Sequence, residues 1–418
     1  MAARSQTSRT RSAKPKRPAS SSDIISLLAA KEMVLVCGSG GVGKTTMAAA
    51  LAVSAVVEIG GRVLVLTVDP AKRLADALGV GALGNTARRV PNEAFAEHGV
   101  EPRGELWAAM LDTKAGWDEL INRHAPDAKL RESVLANPLY QNITSRFVHS
   151  HDYLAMEQLH ELHSSGRFDL IIVDTPPSRN ALDVIDAPGR MKEFFGSRLL
   201  KWLTVPYRSR LFTFASKPFY QLADRILGSR FLQDVAEFFM LFQAMEPGFV
   251  RHANEVEQLL GDPRTTFIVV TTLEAAPSHE AAYLARELVR RNFNLGAIVA
   301  NRILPPEFTA TASATSARKL TKLADGPLAD EVAAAINDAQ SKGAARGASK
   351  VPTDRAVTAA VIAEIGTRFH DVAVVATREA ERRAELATLA PMLVAAPMLD
   401  RDVNDIADLY DLASELRS

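Results

Sequence analysis

The sequence predicts an α/β protein: a doubly wound, mostly parallel sheet with an all-helical insertion. Three observations carry that reading. Short apolar runs alternate with longer patterns of helical period along nearly the whole chain, as in strand–helix–strand units. Most of the runs are rich in Val, Ile and Leu without polar alternation, as strands buried on both faces require. The rhythm is then lost between about residues 187 and 260, where only helical patterns are found.

In chain order, the strand candidates are 33–37, 62–68, 106–111, 169–173, 267–271, 296–300, 372–376 and 392–395. A helical pattern over 46–58 follows the first of them. The block 187–260 holds ten of the 17 phenylalanines. Within it Phe231, Val235, Phe238, Phe242 and Met245 recur at spacings of four and three. Leu232, Phe239 and Leu241 widen that stripe beyond what a surface helix needs. Residues 309–350 are rich in Ala, Ser and Thr and read as a helix or two followed by a flexible connector.

Residues 1–22 carry six Arg and Lys and no acid, and read as a disordered basic tail. A targeting segment is the alternative, but the apolar stretch that follows, 24–30, is short and closed by Lys31-Glu32. A weak electrostatic foothold on anionic lipid is another, which would make the protein peripherally membrane-associated. The expected organisation is a tail, then one domain over 23–418 that includes the 187–260 insertion and the 309–350 connector. No internal duplication is found.

The composition narrows the function classes. The 418 residues carry 49 Lys and Arg against 49 Asp and Glu. No long-range basic field exists to gather nucleic acid, so no such partner is expected. The single cysteine, Cys37, excludes an internal disulfide and a thiolate metal cluster. It points to a reducing, cytoplasmic compartment. No apolar run approaches the roughly 18–20 residues of a transmembrane helix.

The strongest motif is Gly38-Ser-Gly-Gly-Val-Gly-Lys44-Thr45-Thr46. It fits G-x-x-x-x-G-K-[ST], follows the first strand and opens the first long helix, the context of a P-loop NTPase. Glycines let successive N–H groups turn inward around phosphates without Cβ clashes, and the helix N-terminus adds partial positive charge. Lys44 is expected to reach the β- and γ-phosphates, and the Thr45 hydroxyl to ligate Mg²⁺. Two aspartates fall at strand ends on the same edge: Asp69 in Val65-Leu-Thr-Val-Asp-Pro-Ala71 and Asp174 in Leu170-Ile-Ile-Val-Asp. There a carboxylate can orient a water or hold the metal through its water shell.

Gly40-Gly41-Val42-Gly43-Lys44-Thr45-Thr46, Asp69-Pro70-Ala71 with Leu74 and Asp76, and Asp174-Thr-x-Pro177 together resemble the deviant P-loop ATPases. Within them the chain is similar to the arsenical-pump and tail-anchored-protein-targeting branch. Phe238-Phe239, Gly248-Phe249 and 256–260 resemble that branch's helical subdomain, and Asn301-Arg302 its adenine-side element. The resemblance implies an ATP- and Mg²⁺-dependent dimeric switch. In it Asp69 activates the hydrolytic water and, with Thr45, holds the metal partly through water, while Asp174 senses the γ-phosphate.

Two departures from the family pattern stand out. The family carries a second lysine two residues into the loop, reaching the partner's phosphates; here that position is Ser39. A serine supplies no charge to the developing phosphoryl group, which leaves three options: poor self-pairing, a paralogous subunit that supplies the cation, or a substitute such as Lys72 or Arg73. After the second switch the chain reads Ser178-Arg179-Asn180-Ala181 in place of the family's Gly-His-Thr.

A lone thiol rules against arsenite as cargo, which needs several soft ligands. His160 and His163 can share a helix face, where a solvent-exposed pair is the plainer reading than a metal site. Apolar walls interrupted by Arg198, Lys201, Arg208, Arg210 and Lys217 suit a hydrophobic client or a lipid-like ligand, although packed helical core is the simpler account of the phenylalanines. The competing functional reading is a weakly hydrolysing regulatory subunit in which ATP mainly drives pairing.

Overall fold

The computed structural model describes residues 23–67, 73–81, 83–110, 113–137, 140, 150–175, 182–196, 238–241, 243–324, 326–342 and 354–417. They contain an eight-stranded sheet: β1 Met33–Cys37, β2 Gly61–Thr67, β3 Arg88–Arg89, β4 Gly104–Met110, β5 Leu170–Asp174, β6 Thr265–Thr271, β7 Leu295–Ile303 and β8 Leu393–Pro397. The spatial order is β3-β4-β2-β5-β1-β6-β7-β8. Every neighbouring pair is parallel except β3 with β4. The predicted doubly wound parallel sheet is therefore observed, with the two-residue antiparallel β3 added at one edge.

Strand period sorts each side chain to one of two cores. Val34 and Val36 of β1 join the apolar layer on one face, and Met33, Leu35 and Cys37 the layer on the other. The first layer contains helix α1 (Ile24–Ala29) and α2 (Lys44–Glu58), the helix that the loop opens. Between Met47 and Val56, α2 is buried all round, and Ala-rich packing lets it lie close on the sheet. The same layer holds α3 (Arg73–Ala77) and α4 (Asn92–Ala96).

Two helical segments, α5 (Thr113–His124) and α6 (Ala128–Ala136), follow β4. Next come α7 (Ser150–Ser164), α8 (Leu182–Gly196), α9 (Glu246–Gly261) and α10 (Ala275–Arg290). Residues from α5 to α9 build a separate apolar core of Leu120, Ile121, Val134, Tyr153, Leu154, Ala187, Phe238, Met245 and Phe249. Most of the phenylalanine-rich stretch, including Phe212, Phe214, Phe219, Phe231 and Phe242, lies outside the described residues.

Two expectations are corrected. Residues 372–376 are not a strand: they lie inside α13 (Arg355–Ala387), a 33-residue helix. Val374 and Val375 are exposed there and Ala376 is buried, a helical rather than an alternating pattern. Asn301 and Arg302 do not follow β7 but lie within it. The β7–β8 register shifts between Ala300 and Ile303, and Arg302 there has φ 57°, a bulge-like break in the ladder.

The Ala-, Ser- and Thr-rich segment forms α11 (Thr311–Leu323) and α12 (Pro327–Lys342), which pack on α13. Residues 343–353 fall outside the described residues. The last helix, α14 (Ile406–Glu415), lies on α2. Tyr410 and Arg417 both donate to Oε1 of Glu58 at the end of α2, at 2.6 and 2.8 Å, fastening the chain's last turn to the loop helix.

Candidate nucleotide site

β1 delivers the chain to the loop at the carboxyl edge of the sheet, where neighbouring crossovers leave a crevice. Two glycines are sterically required. A Cβ at Gly38 would sit 2.1 Å from the Val270 carbonyl oxygen, so the loop passes directly against β6. Gly43 caps α2 with φ 94°, and a Cβ there would lie 2.4 Å from Asn301 Nδ2. That amide donates to the Val42 carbonyl at 2.8 Å, and Asn301 Oδ1 accepts from the Arg302 N–H at 3.0 Å. Asn301 of β7 thus braces the loop.

Lys44 is buried, and its Nζ crosses the loop to donate to the Ser39 carbonyl at 2.8 Å. The Ser39 Oγ is itself buried and has no hydrogen-bond partner among the described residues. Gly40 and Gly41 are exposed at the turn, and Thr46 is half-buried in the first turn of α2.

Asp174 ends β5 level with Val36 and Thr67 on its neighbours. Its Oδ2 accepts from Thr45 Oγ1 at 2.7 Å and from Thr67 Oγ1 at 3.0 Å. The next residue, Thr175, donates its hydroxyl to the Val36 carbonyl at 2.9 Å. Burial pushes the Cys37 thiol up to about 12, against smaller opposite pulls from the Thr175 hydrogen bond and Lys44. Cys37 is therefore a protonated apolar residue under the loop rather than a nucleophile.

A cavity of about 700 Å³ opens beside the loop. Gly43, Thr45 and Thr46 form one wall, Asn301 and Arg302 another, and the segment between β8 and α14, including Met398, Arg401 and Asn404, a third. Its volume suits a nucleotide-sized molecule. The donor set fits ATP with magnesium: helix-end amides and an ammonium for phosphate, and beside them a carboxylate with hydroxyl oxygens, the hard ligands that Mg²⁺ takes.

The structure brings together Gly40, Gly41, Val42, Gly43, Lys44, Thr45, Thr46, Asp174, Asn301 and Arg302. Asp69 lies outside the described residues, as do Lys72, Pro177, Ser178, Arg179 and Asn180. Sequence reasoning missed Thr67 and the Met398–Asn404 wall. The signal for the wall was available: a strand at 392–395 places the residues after it on the ligand edge of an open sheet.

Sheet order, glycine loop and adjoining cavity define the class of phosphate-loop nucleotide-binding proteins. The chain belongs to the Anion-transporting ATPase family, whose model matches residues 31–324. It is 25% identical over 271 residues to ATPase GET3 of Malassezia globosa, covering 64% of this chain and 72% of that one. It is 25% identical over 281 residues to ATPase ASNA1 homolog 1 of Paramecium tetraurelia, covering 66% and 75%. With ATPase get3 of Schizosaccharomyces japonicus it shares 26% over 294 residues, 69% of this chain and 79% of the relative. Among the described residues no helix is long and apolar enough to cross a membrane.

Proposed function

We propose that the chain is a cytoplasmic Mg²⁺-dependent ATP hydrolase that acts as a nucleotide-gated dimer and handles a hydrophobic client or lipid-like metabolite. The observation that carries this reading is the convergence on Asp174, where Thr45 from the loop helix and Thr67 from β2 meet one carboxylate oxygen. Three separate elements thereby report to one point next to Lys44.

In this reading the amides from Gly40 to Thr46 cradle the phosphates, and Lys44 leaves the Ser39 carbonyl for the β- and γ-phosphate oxygens. Thr45 would hold the metal through a hydroxyl lone pair while its proton stays on Asp174 Oδ2, so that the Asp174 carboxylate would be placed to respond to the γ-phosphate. Bound magnesium would supply charge neutralisation across the phosphate oxygens. Asp69, two residues past the end of β2, orients the attacking water. Asn301 and Arg302, which line the cavity, would border the nucleoside.

Ser39 favours a heterodimer with a lysine-bearing paralogue, since a cation supplied across a subunit interface contributes about 10³–10⁵ in rate in related chemistry. The same residue favours the second reading, a regulatory subunit in which ATP drives pairing with little turnover. Calorimetric titration with ATP and magnesium tests the common core, and Lys44→Ala should abolish binding. Turnover measured for the chain alone and with a candidate paralogue separates the two readings. A chain with no affinity for adenine nucleotides, with or without a companion subunit, overturns both.

A further inference from the structure

Away from the nucleotide loop, α7 and α9 face each other with a pair of histidines. The rings of His160 on α7 and His252 on α9 meet edge to face, with centroids 5.5 Å apart. Glu255, one turn beyond His252, places Oε2 3.8 Å from His252 Nε2 and 3.9 Å from His160 Nε2. One donor atom from each of the three lies within 4.8 Å of the others. The opposite ring nitrogen, His252 Nδ1, lies 3.1 Å from Oε2 of Glu157, whose carboxylate is buried. Glu157 Oε1 accepts from the Tyr153 hydroxyl, and Arg123 Nη1 stands 3.9 Å from Glu157 Oε2. His163, the neighbour that shares a helix with His160, points instead to Glu32, 3.3 Å away.

We propose that His160, His252 and Glu255 bind a divalent transition-metal ion, zinc foremost, with Glu157 orienting His252. Two imidazoles and a carboxylate, leaving a fourth position for water, make a standard zinc donor set. Glu157 is placed to accept the His252 Nδ1 proton, which leaves the Nε2 lone pair directed at the other two donors. Metal bonds of about 2.0–2.2 Å place tetrahedral donors about 3.3–3.6 Å apart. The observed 3.8 and 3.9 Å separations therefore close by small side-chain rotations. The Ser164 hydroxyl, 3.5 Å from His160 Nε2, is a weak contact that the ion would displace.

Nitrogen donors disfavour magnesium, so this ion is chemically distinct from the one expected with ATP. Its place in the fold gives it a consequence. The carboxyl ends of α7 and α9 run into β5 and β6, the two strands that flank β1. An ion held between these helices braces the scaffold on both sides of the loop strand, and it does so from residues that the nucleotide does not touch.

The test uses the full-length chain, purified without a polyhistidine tag, stripped with chelator and kept free of nucleotide. ZnCl₂ is titrated in a calorimeter, and CoCl₂ is followed by its visible absorption. One equivalent of zinc should bind, and excess zinc should raise the thermal midpoint. His160→Gln and His252→Gln should each weaken binding at least tenfold, while His163→Gln should leave it unchanged. Glu157→Gln should cost about 10–100-fold, the usual effect of removing a carboxylate behind a ligating histidine. Far-UV circular dichroism matching the wild type makes the variants comparable. Absence of zinc uptake, or equal uptake by a doubly substituted His160→Gln, His252→Gln chain, overturns the proposal. Neither result bears on the ATP reading, because no nucleotide is present.

Discussion

Single side chains around the loop are set by burial and close approach. Cys37 illustrates the first. A thiol whose pKa is higher folded than unfolded keeps its proton in the native state while the unfolded chain releases it. The contribution of this thiol is therefore fully present well below pH 9.0 and is lost as pH rises through 9.0 toward 12. The slope is about 1.4 kcal/mol per pH unit. Denaturant midpoints measured across this range should fall more steeply for the wild type than for Cys37→Ala, and parallel curves would contradict the assignment. Close approach governs Gly43. An alanine there must adopt φ 94° and meets the Asn301 amide, so Gly43→Ala should lose the Asn301–Val42 hydrogen bond. The expected cost is about 1–3 kcal/mol of stability, with at least a tenfold loss of ATP affinity; both are read by calorimetry. The loop was legible at this scale because its chemistry is local in sequence. Thr67 was not, since nothing near it in the chain announces that Asp174 will end level with it on the neighbouring strand.

Elements were legible where their length and period agreed. The strands buried on both faces read plainly, because continuous Val, Ile and Leu runs bounded by turns leave few alternatives. The 372–376 run failed for a physical reason: five apolar residues fit a strand or one turn and a half of helix equally, and periodicity alone does not separate them. What decides is the surrounding segment. Asp354 caps α13 by accepting from the Ala356 N–H at 3.2 Å, and the helix then continues through the valines to Ala387. Gly366 lies where α13 crosses α11; a Cβ there would stand 2.3 Å from Thr321 Oγ1 and 2.9 Å from the Ala317 carbonyl oxygen. Gly366→Val should therefore push the helices apart, giving faster amide exchange in α11 and α13 and leaving the loop and α2 protected. Uniformly unchanged exchange would show that the crossing is looser than the geometry states.

For the whole molecule, the issue is what completes the site. Ser39 has a buried hydroxyl, its carbonyl accepts from Lys44, and under the proposed function it is the position that lacks a cation. Ser39→Lys should raise the turnover of the lone chain if a missing cation limits it, and should reduce its dependence on a companion subunit. Steady-state ATPase assays with and without that subunit measure both effects; no gain in lone-chain turnover removes the reason for expecting a heterodimer.

By itself the sequence determined the sheet class, the phosphate loop with Lys44 and Thr45, and the family pattern. Each is read from short segments along the chain whose chemistry acts over a few positions. Only the tertiary structure decided that Asp174 receives two hydroxyls, that Asn301 of β7 holds the Val42 carbonyl of the loop, that the segment after β8 lines the cavity, and that His160 faces His252 rather than pairing with His163. Each of these joins residues far apart in the chain, and strand order and helix packing, not local preference, fix which distant side chains meet.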